Sequence, residues 1–202
     1  MKGLRVIMAF GEEYVVGVGD RLPWHISEEL KLFKETTKNQ VVIMGKGTFM
    51  GLPKFPLPNR INVVLSSGFD GITEVQENGE TVIYAESLEA FTNMNRWLDK
   101  QWFVIGGPGA WDAAFRSGRV EAVHASSVDY KSTGSPDEVR YQNLDHFSTV
   151  AFDMIPCDVA DFDEFSHAIY AIEYHDNYEQ SIDAVIEAGK DYPKQQTKTL
   201  QQ

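Results

Sequence analysis

Six short runs along the chain are apolar and rich in β-branched residues: "LRVIMAF" (4–10), "QVVIMG" (40–45), "INVVLSS" (61–67), "TVIYA" (81–85), "WFVIGG" (102–107) and "VEAVHASSV" (120–128). Continuous apolar runs of this length are the pattern of strands buried on both faces. Between them apolar positions recur at helical spacing. Residues 27–37 read as a first helix and 46–52 as a short second one. Residues 87–99 read as a third, with Ser87 as its cap and Leu88, Phe91 and Leu98 on one face. Residues 109–118 read as a fourth, ending in a glycine suited to the left-handed cap position. Strands alternating with helices predict an α/β fold: a central, mostly parallel, twisted sheet flanked by helices. "SHAIYAIEY" (166–174) alternates apolar and polar residues, which predicts an antiparallel C-terminal strand at a sheet edge. Residues 129–150 are polar and turn-rich and read as a surface loop or a weakly regular segment. Residues 179–189 read as a short amphipathic helix grouping Ile182, Val185 and Ile186, followed by a polar, frayed tail. No repeat or linker divides the chain, so residues 1–175 are expected to form one domain and 176–202 an extension.

One position breaks the binary pattern. In "DRLPWHISEELKLFK" (20–34) the apolar arc of the helix, drawn at ~100° per residue, runs from Leu32 through Phe33 and Ile26 to Leu30. Glu29 falls inside that arc, whereas Glu28, Lys31, Lys34 and Glu35 fall on the opposite, solvated side. Ser27 is a plausible N-cap, and an acid in the first turn suits the helix dipole. That accounts for an acid here but not for one that faces inward. A buried, ionised carboxylate needs a partner or a raised pKa, and no base shares its arc.

Composition narrows the function. With 202 residues, 43% of them hydrophobic and 12% aromatic, the chain can bury a sizeable core. The net charge of −12 argues against nucleic acid, which needs a basic surface. The acidity is concentrated late: residues 151–202 carry 11 acids against 3 bases, a net of −8, so the earlier part remains open to anionic small molecules. A single cysteine, Cys157, excludes an internal disulfide and fits a reducing, cytoplasmic compartment. The opening apolar run is too short for a signal peptide, and no run is long enough to span a membrane.

Three strand ends carry phosphate chemistry. "VIGGPGAW" and "IMGKGTF" each place glycines where a strand hands over to a helix, an arrangement that turns backbone N–H groups toward an anion. Such turns also arise for steric reasons alone, and the second is too short for a Walker A loop. "VLSS" ends a third strand in two hydroxyls. Together they suggest a dinucleotide lying across the carboxyl edge of the sheet.

The chain resembles the dihydrofolate reductase family. The resemblance is carried by "VGVGDRLPWHISEELKLFK", "VVIMGKGTFMGLP", "PLPNRINVVLSS", "FVIGGPGAW" and "SHAIYAIEY", in the family's order over about residues 4–175. It implies reduction of 7,8-dihydrofolate to tetrahydrofolate with NADPH, in support of one-carbon metabolism and thymidylate synthesis, by a monomer or homodimer that uses no metal. It implies that Glu29 binds the pterin, that Trp24 holds a water, that Ser126 supports Glu29 from behind, and that Leu22 borders the reacting ring. Ile7, Met8, Leu30, Phe33, Leu52, Leu57 and Ile105 are implied to line the substrate pocket, and Arg60 to pair with the substrate's α-carboxylate. Ala9, Val16, Gly45, Lys46, Gly47, Thr48, Ser66, Ser67, Gly106, Gly107, Gly109 and Ala110 are implied to hold NADPH, with the Gly106–Gly107 peptide cis.

The chain departs from the family pattern at Pro108, where Gly or Ala is usual, and in 129–150, which lacks a Thr-Phe-Phe-Pro type segment. Two other readings compete. A pyrimidine reductase of riboflavin synthesis shares this fold but gives no reason for an inward acid after Pro23-Trp24. A catalytically idle binding protein gives no reason for Glu29, Trp24, Arg60 and the Gly106-Gly107 pair together.

Overall fold

A computed structural model describes residues 2–19, 21–131, 139–141 and 152–174. The elements in chain order are β1 (Leu4–Phe10), β2 (Val15–Val18), α1 (Ser27–Thr37), β3 (Val41–Gly45), α2 (Lys46–Gly51), β4 (Ile61–Leu65), β5 (Ile72–Glu77), β6 (Glu80–Ala85), α3 (Leu88–Asn93), β7 (Trp102–Gly106), α4 (Pro108–Arg116), β8 (Val120–Val128), β9 (Val139–Tyr141), β10 (Phe152–Asp161) and β11 (Phe165–Tyr174). Nine strands form one sheet in the order β10-β11-β8-β1-β7-β3-β4-β6-β5, and β2 pairs with β9 apart from it. The six strands from β8 to β6 run parallel. The outer pairings, β8–β11, β11–β10 and β6–β5, are antiparallel. This is the α/β architecture expected from the apolar runs.

Alternation along each strand splits the sheet into two cores. On one face Leu4, Val6, Met8, Val41, Ile43, Val63, Val104 and Val123 pack against Leu88 and Phe91 of α3 and Ala110, Trp111, Ala114 and Phe115 of α4. On the other, Val42, Met44 and Val64 pack against Phe49 of α2 and against Leu52, Phe55 and Leu57 in the loop that follows it. α1 covers this second face nearer β8. Pro108 sits at the first position of α4, where a missing N–H breaks no helical bond, so the departure noted there is structurally neutral.

Several expectations are corrected. β11 is antiparallel but not at an edge, because β10 lies outside it. β10 carries Pro156 and a register shift between Pro156 and Asp158, features an edge strand tolerates and an apolar-run search passes over. α3 stops at Asn93 rather than 99. Asn95 and Trp97 take positive φ, so Leu98 leaves the predicted face and is half exposed. Ser87 does cap α3, its Oγ accepting from Ala90 N at 3.0 Å. Ser27 does not cap α1. Ile26 holds the N-cap backbone position and Ser27 is already helical, one residue too far in to reach the orphan amides. Within 129–150, Val139–Tyr141 pairs with β2 rather than forming loop throughout. The predicted helix 179–189 and the tail fall outside the described residues.

Candidate active site

α1 presents Glu29 as its pattern demands. Glu29 is buried with Leu32 and Thr37, and Glu28, Lys31, Lys34 and Glu35 face solvent. Leu30, at the rim of the arc, is 37% exposed rather than packed inward. Glu29 stands in the first turn of a helix whose N-cap residue, Ile26, gives no side-chain cap, so the helix dipole favours its charge. Burial pushes its carboxyl above the usual glutamate range, and a hydrogen bond from Ser126 pulls in the other direction. Ser126 reaches it from β8, where Ala9 is its neighbour on β1 and His167 its neighbour on β11. Ile7 lies two residues before Ala9 on the same face of β1. Trp24 packs beside Ile26, Leu32 and Tyr130, and its indole Nε1 is buried with no hydrogen-bond partner among the described residues. Leu22, in the loop before Trp24, is half exposed.

At the far end of α1, Arg60 is built in rather than displayed. Its Nε donates to Thr37 Oγ1 at 2.9 Å, Nη2 to the Lys34 carbonyl at 3.0 Å and Nη1 to the Pro58 carbonyl at 2.7 Å. The guanidinium carbon lies 5.8 Å from the centre of the Phe33 ring. Three of five donors are thus used to fix the fork, leaving two for a carboxylate. Burial lowers its pKa, and the charge of Glu80 raises it. Asn62 holds the preceding loop, its Oδ1 accepting from Leu57 N at 2.9 Å and its Nδ2 donating to the Leu57 carbonyl at 3.0 Å. Phe33 lies under the Arg60 guanidinium, and Leu52, Leu57 and Ile105 are partly buried against the core of this face. Met8 is a correction. Ile7 and Met8 are consecutive on a strand and cannot share a face, and the Met8 side chain lies in the opposite core.

The carboxyl ends of β7, β3 and β4 are adjacent, and α4 and α2 begin there. Gly107 and Gly45 are the N-cap residues, and neither helix start is capped by a side chain. The Gly106–Gly107 peptide is cis, as the resemblance implied. A Cβ on Gly106 would stand 3.0 Å from Thr48 Oγ1 and one on Gly107 would stand 3.2 Å from it, so backbone and hydroxyl approach closely only because both are glycine. Lys46 and Gly47 are exposed at the start of α2, and Gly109 at the start of α4. Ser66 is half-buried and accepts from Gly68 N at 3.3 Å, while Ser67 is exposed. Val16, on β2, packs against the opposite core. Ala110 is a second correction: its methyl is buried in that core and its N–H donates to the Gly107 carbonyl at 2.9 Å, so neither faces a ligand.

A sequence profile described as dihydrofolate reductase matches residues 3–153. The chain belongs to the dihydrofolate reductase family. It is 37% identical to dihydrofolate reductase type 9 of Escherichia coli over 117 residues, which are 55% of this chain and 63% of that protein. It is 31% identical to dihydrofolate reductase of Drosophila melanogaster over 145 residues, 65% of this chain and 76% of that one. With the Lactococcus lactis enzyme it shares 35% over 101 residues, 50% and 58% of the two chains. The match therefore spans less than two thirds of two of these three relatives. The residues fall into three groups: Glu29, Trp24, Ser126 and Ala9 where the start of α1 meets β1 and β8, Arg60 at the far end of α1, and the glycines at the carboxyl ends of β3 and β7. Two residues of the site were not singled out in the sequence. Thr37 carries no pattern that announces its bond to Arg60. His167 does carry one, a histidine at period two with Ile169 and Ala171 on the inner face of its strand.

Proposed function

We propose that this protein reduces 7,8-dihydrofolate to 5,6,7,8-tetrahydrofolate, with NADPH as the hydride source. The observation that carries the reading is Glu29, a buried carboxylate with a serine hydroxyl behind it and no base acting on it among the described residues. Its natural complement is a planar group with two adjacent N–H donors, which the 2-amino group and neighbouring ring nitrogen of a pterin supply. Bound in this way, the ring is oriented and N5 is made easier to protonate, which turns C6 into a hydride acceptor. The orphan Trp24 N–H is suited to holding a water near that nitrogen. Phe33, Leu52, Leu57 and Ile105 give the middle of the substrate an apolar wall, and the two remaining donors of Arg60 suit its α-carboxylate.

The cofactor edge fits an anionic dinucleotide on this chain's own terms. A cradle that any Cβ would fill, two uncapped helix starts, one lysine and two serines converge there. Gly45, Gly47, Thr48, Gly107 and Gly109 would hold the phosphates, with Lys46, Ser66 and Ser67 toward the 2′-phosphate. NADPH, when bound, supplies the hydride. The test is product formation: purified protein, dihydrofolate and either NADPH or NADH, with tetrahydrofolate identified by chromatography. The expected result is tetrahydrofolate, with at least ~10-fold higher kcat/KM for NADPH, since a charge-assisted contact contributes about 1.5–3 kcal/mol. Equal efficiency with NADH would remove Lys46 and Ser67 from the cofactor site. No tetrahydrofolate with either would overturn the function.

A further inference from the structure

We infer that His167 is a positioning residue for Glu29, acting through Ser126: its ring N–H fixes the serine hydroxyl as a donor to the carboxylate. The inference rests on the reading of Glu29 as the pterin-binding acid and extends it by one residue. Ser126 and His167 are register partners across β8 and β11, both are buried, and Ser126 Oγ lies 3.0 Å from His167 Nδ1. Ser126 is also the side chain whose hydrogen bonding favours the charged form of Glu29. A hydroxyl has one proton and an ionised carboxylate only accepts, so Ser126 gives its proton to Glu29. The contact with His167 then requires a hydrogen on Nδ1. Burial holds the His167 ring neutral, its pKa lowered to about 4 against an opposing pull from Asp158, so a single ring nitrogen carries a hydrogen, Nδ1 in the inferred arrangement.

The chain therefore runs from His167 Nδ1–H to Ser126 Oγ–H to the Glu29 carboxylate. A serine alone could rotate among three staggered positions, and the histidine removes that freedom. Consecutive hydrogen bonds in a buried setting also polarise one another. Both effects favour ionised Glu29 over what burial alone would leave. The charged and titratable groups around His167 are Glu29 across Ser126 from α1, His124 on β8 with ring centres 6.0 Å apart, and Asp158 on β10; Arg5 on β1 acts on His124.

The experiment is a carbon-13 NMR titration of glutamate carboxyls in the full-length protein without ligands, with the Glu29 signal assigned by its loss in Glu29→Gln. In His167→Phe and His167→Gln the Glu29 pKa should rise by about half a unit or more, roughly a threefold fall in its dissociation constant. His167→Asn, whose amide nitrogen stands close to where Nδ1 stood, should restore the parent value. Ser126→Ala should raise the pKa as well, and adding His167→Phe to it should change nothing further. An unmoved Glu29 in His167→Phe overturns the inference, as does failed restoration by asparagine. So does an equal shift with and without Ser126. If the phenylalanine variant does not fold, the asparagine and glutamine variants carry the same comparison. The readout needs no turnover, so a protein that fails to reduce dihydrofolate would sink the functional reading and leave this coupling measurable.

Discussion

Glu29 is the residue on which structure and chemistry meet. Its folded pKa is raised by burial, so the folded protein binds its proton more tightly than the unfolded chain. The sign follows: stability from this group is fully present below the ordinary glutamate range and is lost as pH rises through the folded pKa. Glu29→Gln should therefore raise the melting temperature of the ligand-free protein at neutral pH, while Glu28→Gln, on the solvated face, should leave it unchanged. Scanning calorimetry checks both. Arg60→Lys keeps a charge but loses the fork that Thr37, Lys34 and Pro58 hold in place. KM for dihydrofolate should rise at least ~10-fold with a smaller change in kcat. A rise in neither would detach Arg60 from the substrate. Glu29 was legible in the sequence because helical period alone separates it from Glu28. Met8 follows the two-residue period of its strand into the opposite core, against what the family resemblance implies for it. Ser126 came from the resemblance, since an inward serine on an apolar strand carries no chemistry by itself.

At the scale of elements, what could be read was what the core dictates. The parallel strands β1, β3, β4, β6, β7 and β8 are apolar because both their faces are covered, so each was visible. β5 was missed because every residue from Ile72 to Gln76 is exposed at an edge. Its signal lay in the turn: Asn78 and Gly79 both take positive φ between paired Glu77 and Glu80, the pattern of a two-residue hairpin. Apolar spacing continues past Asn93 and so predicts a longer α3, while the chain turns at Asn95, where an asparagine can adopt the left-handed conformation. The handover from β7 to α4 gives a prediction at this scale. Gly106 has φ +144°, and a Cβ there would press on Thr48 Oγ1 at 3.0 Å. Gly106→Ala should cost ~1–3 kcal/mol of stability from backbone strain, read by urea unfolding, and should weaken NADPH binding. An alanine variant with parental stability and affinity would mean that the turn has another conformation within reach.

Over the whole molecule, two histidines lie on the inner face of one sheet. Burial lowers His124 to about 3 and His167 to about 4. For a base with a depressed folded pKa, the unfolded chain takes up protons first, from about pH 6.5 downward. Stability should therefore fall between about pH 6.5 and 4, by of the order of 3 kcal/mol for each histidine at the lower end. Glu29 opposes this in part. Urea unfolding at a series of pH values should show a shallower acid decline in His124→Phe than in the parent, and parallel declines would mean that the ring is hydrated. The fold class was legible at this scale because alternating buried strands and helices permit few arrangements. The outer strand β10 was not, because an edge strand broken by a proline and mostly exposed, with Ile155 packed only in part, has little covered face to record in its residues. The central claim, that an inward carboxylate on α1 drives reduction of dihydrofolate, is tested most directly by one measurement. Parent protein and Glu29→Gln, each saturated with NADPH, are mixed rapidly with dihydrofolate while the reduced-nicotinamide absorbance is followed through a single turnover. The predicted result is rapid loss of absorbance in the parent and a rate lower by at least ~10²-fold in the variant at neutral pH. Equal rates in the two, or no loss in a folded parent that binds NADPH, would contradict it.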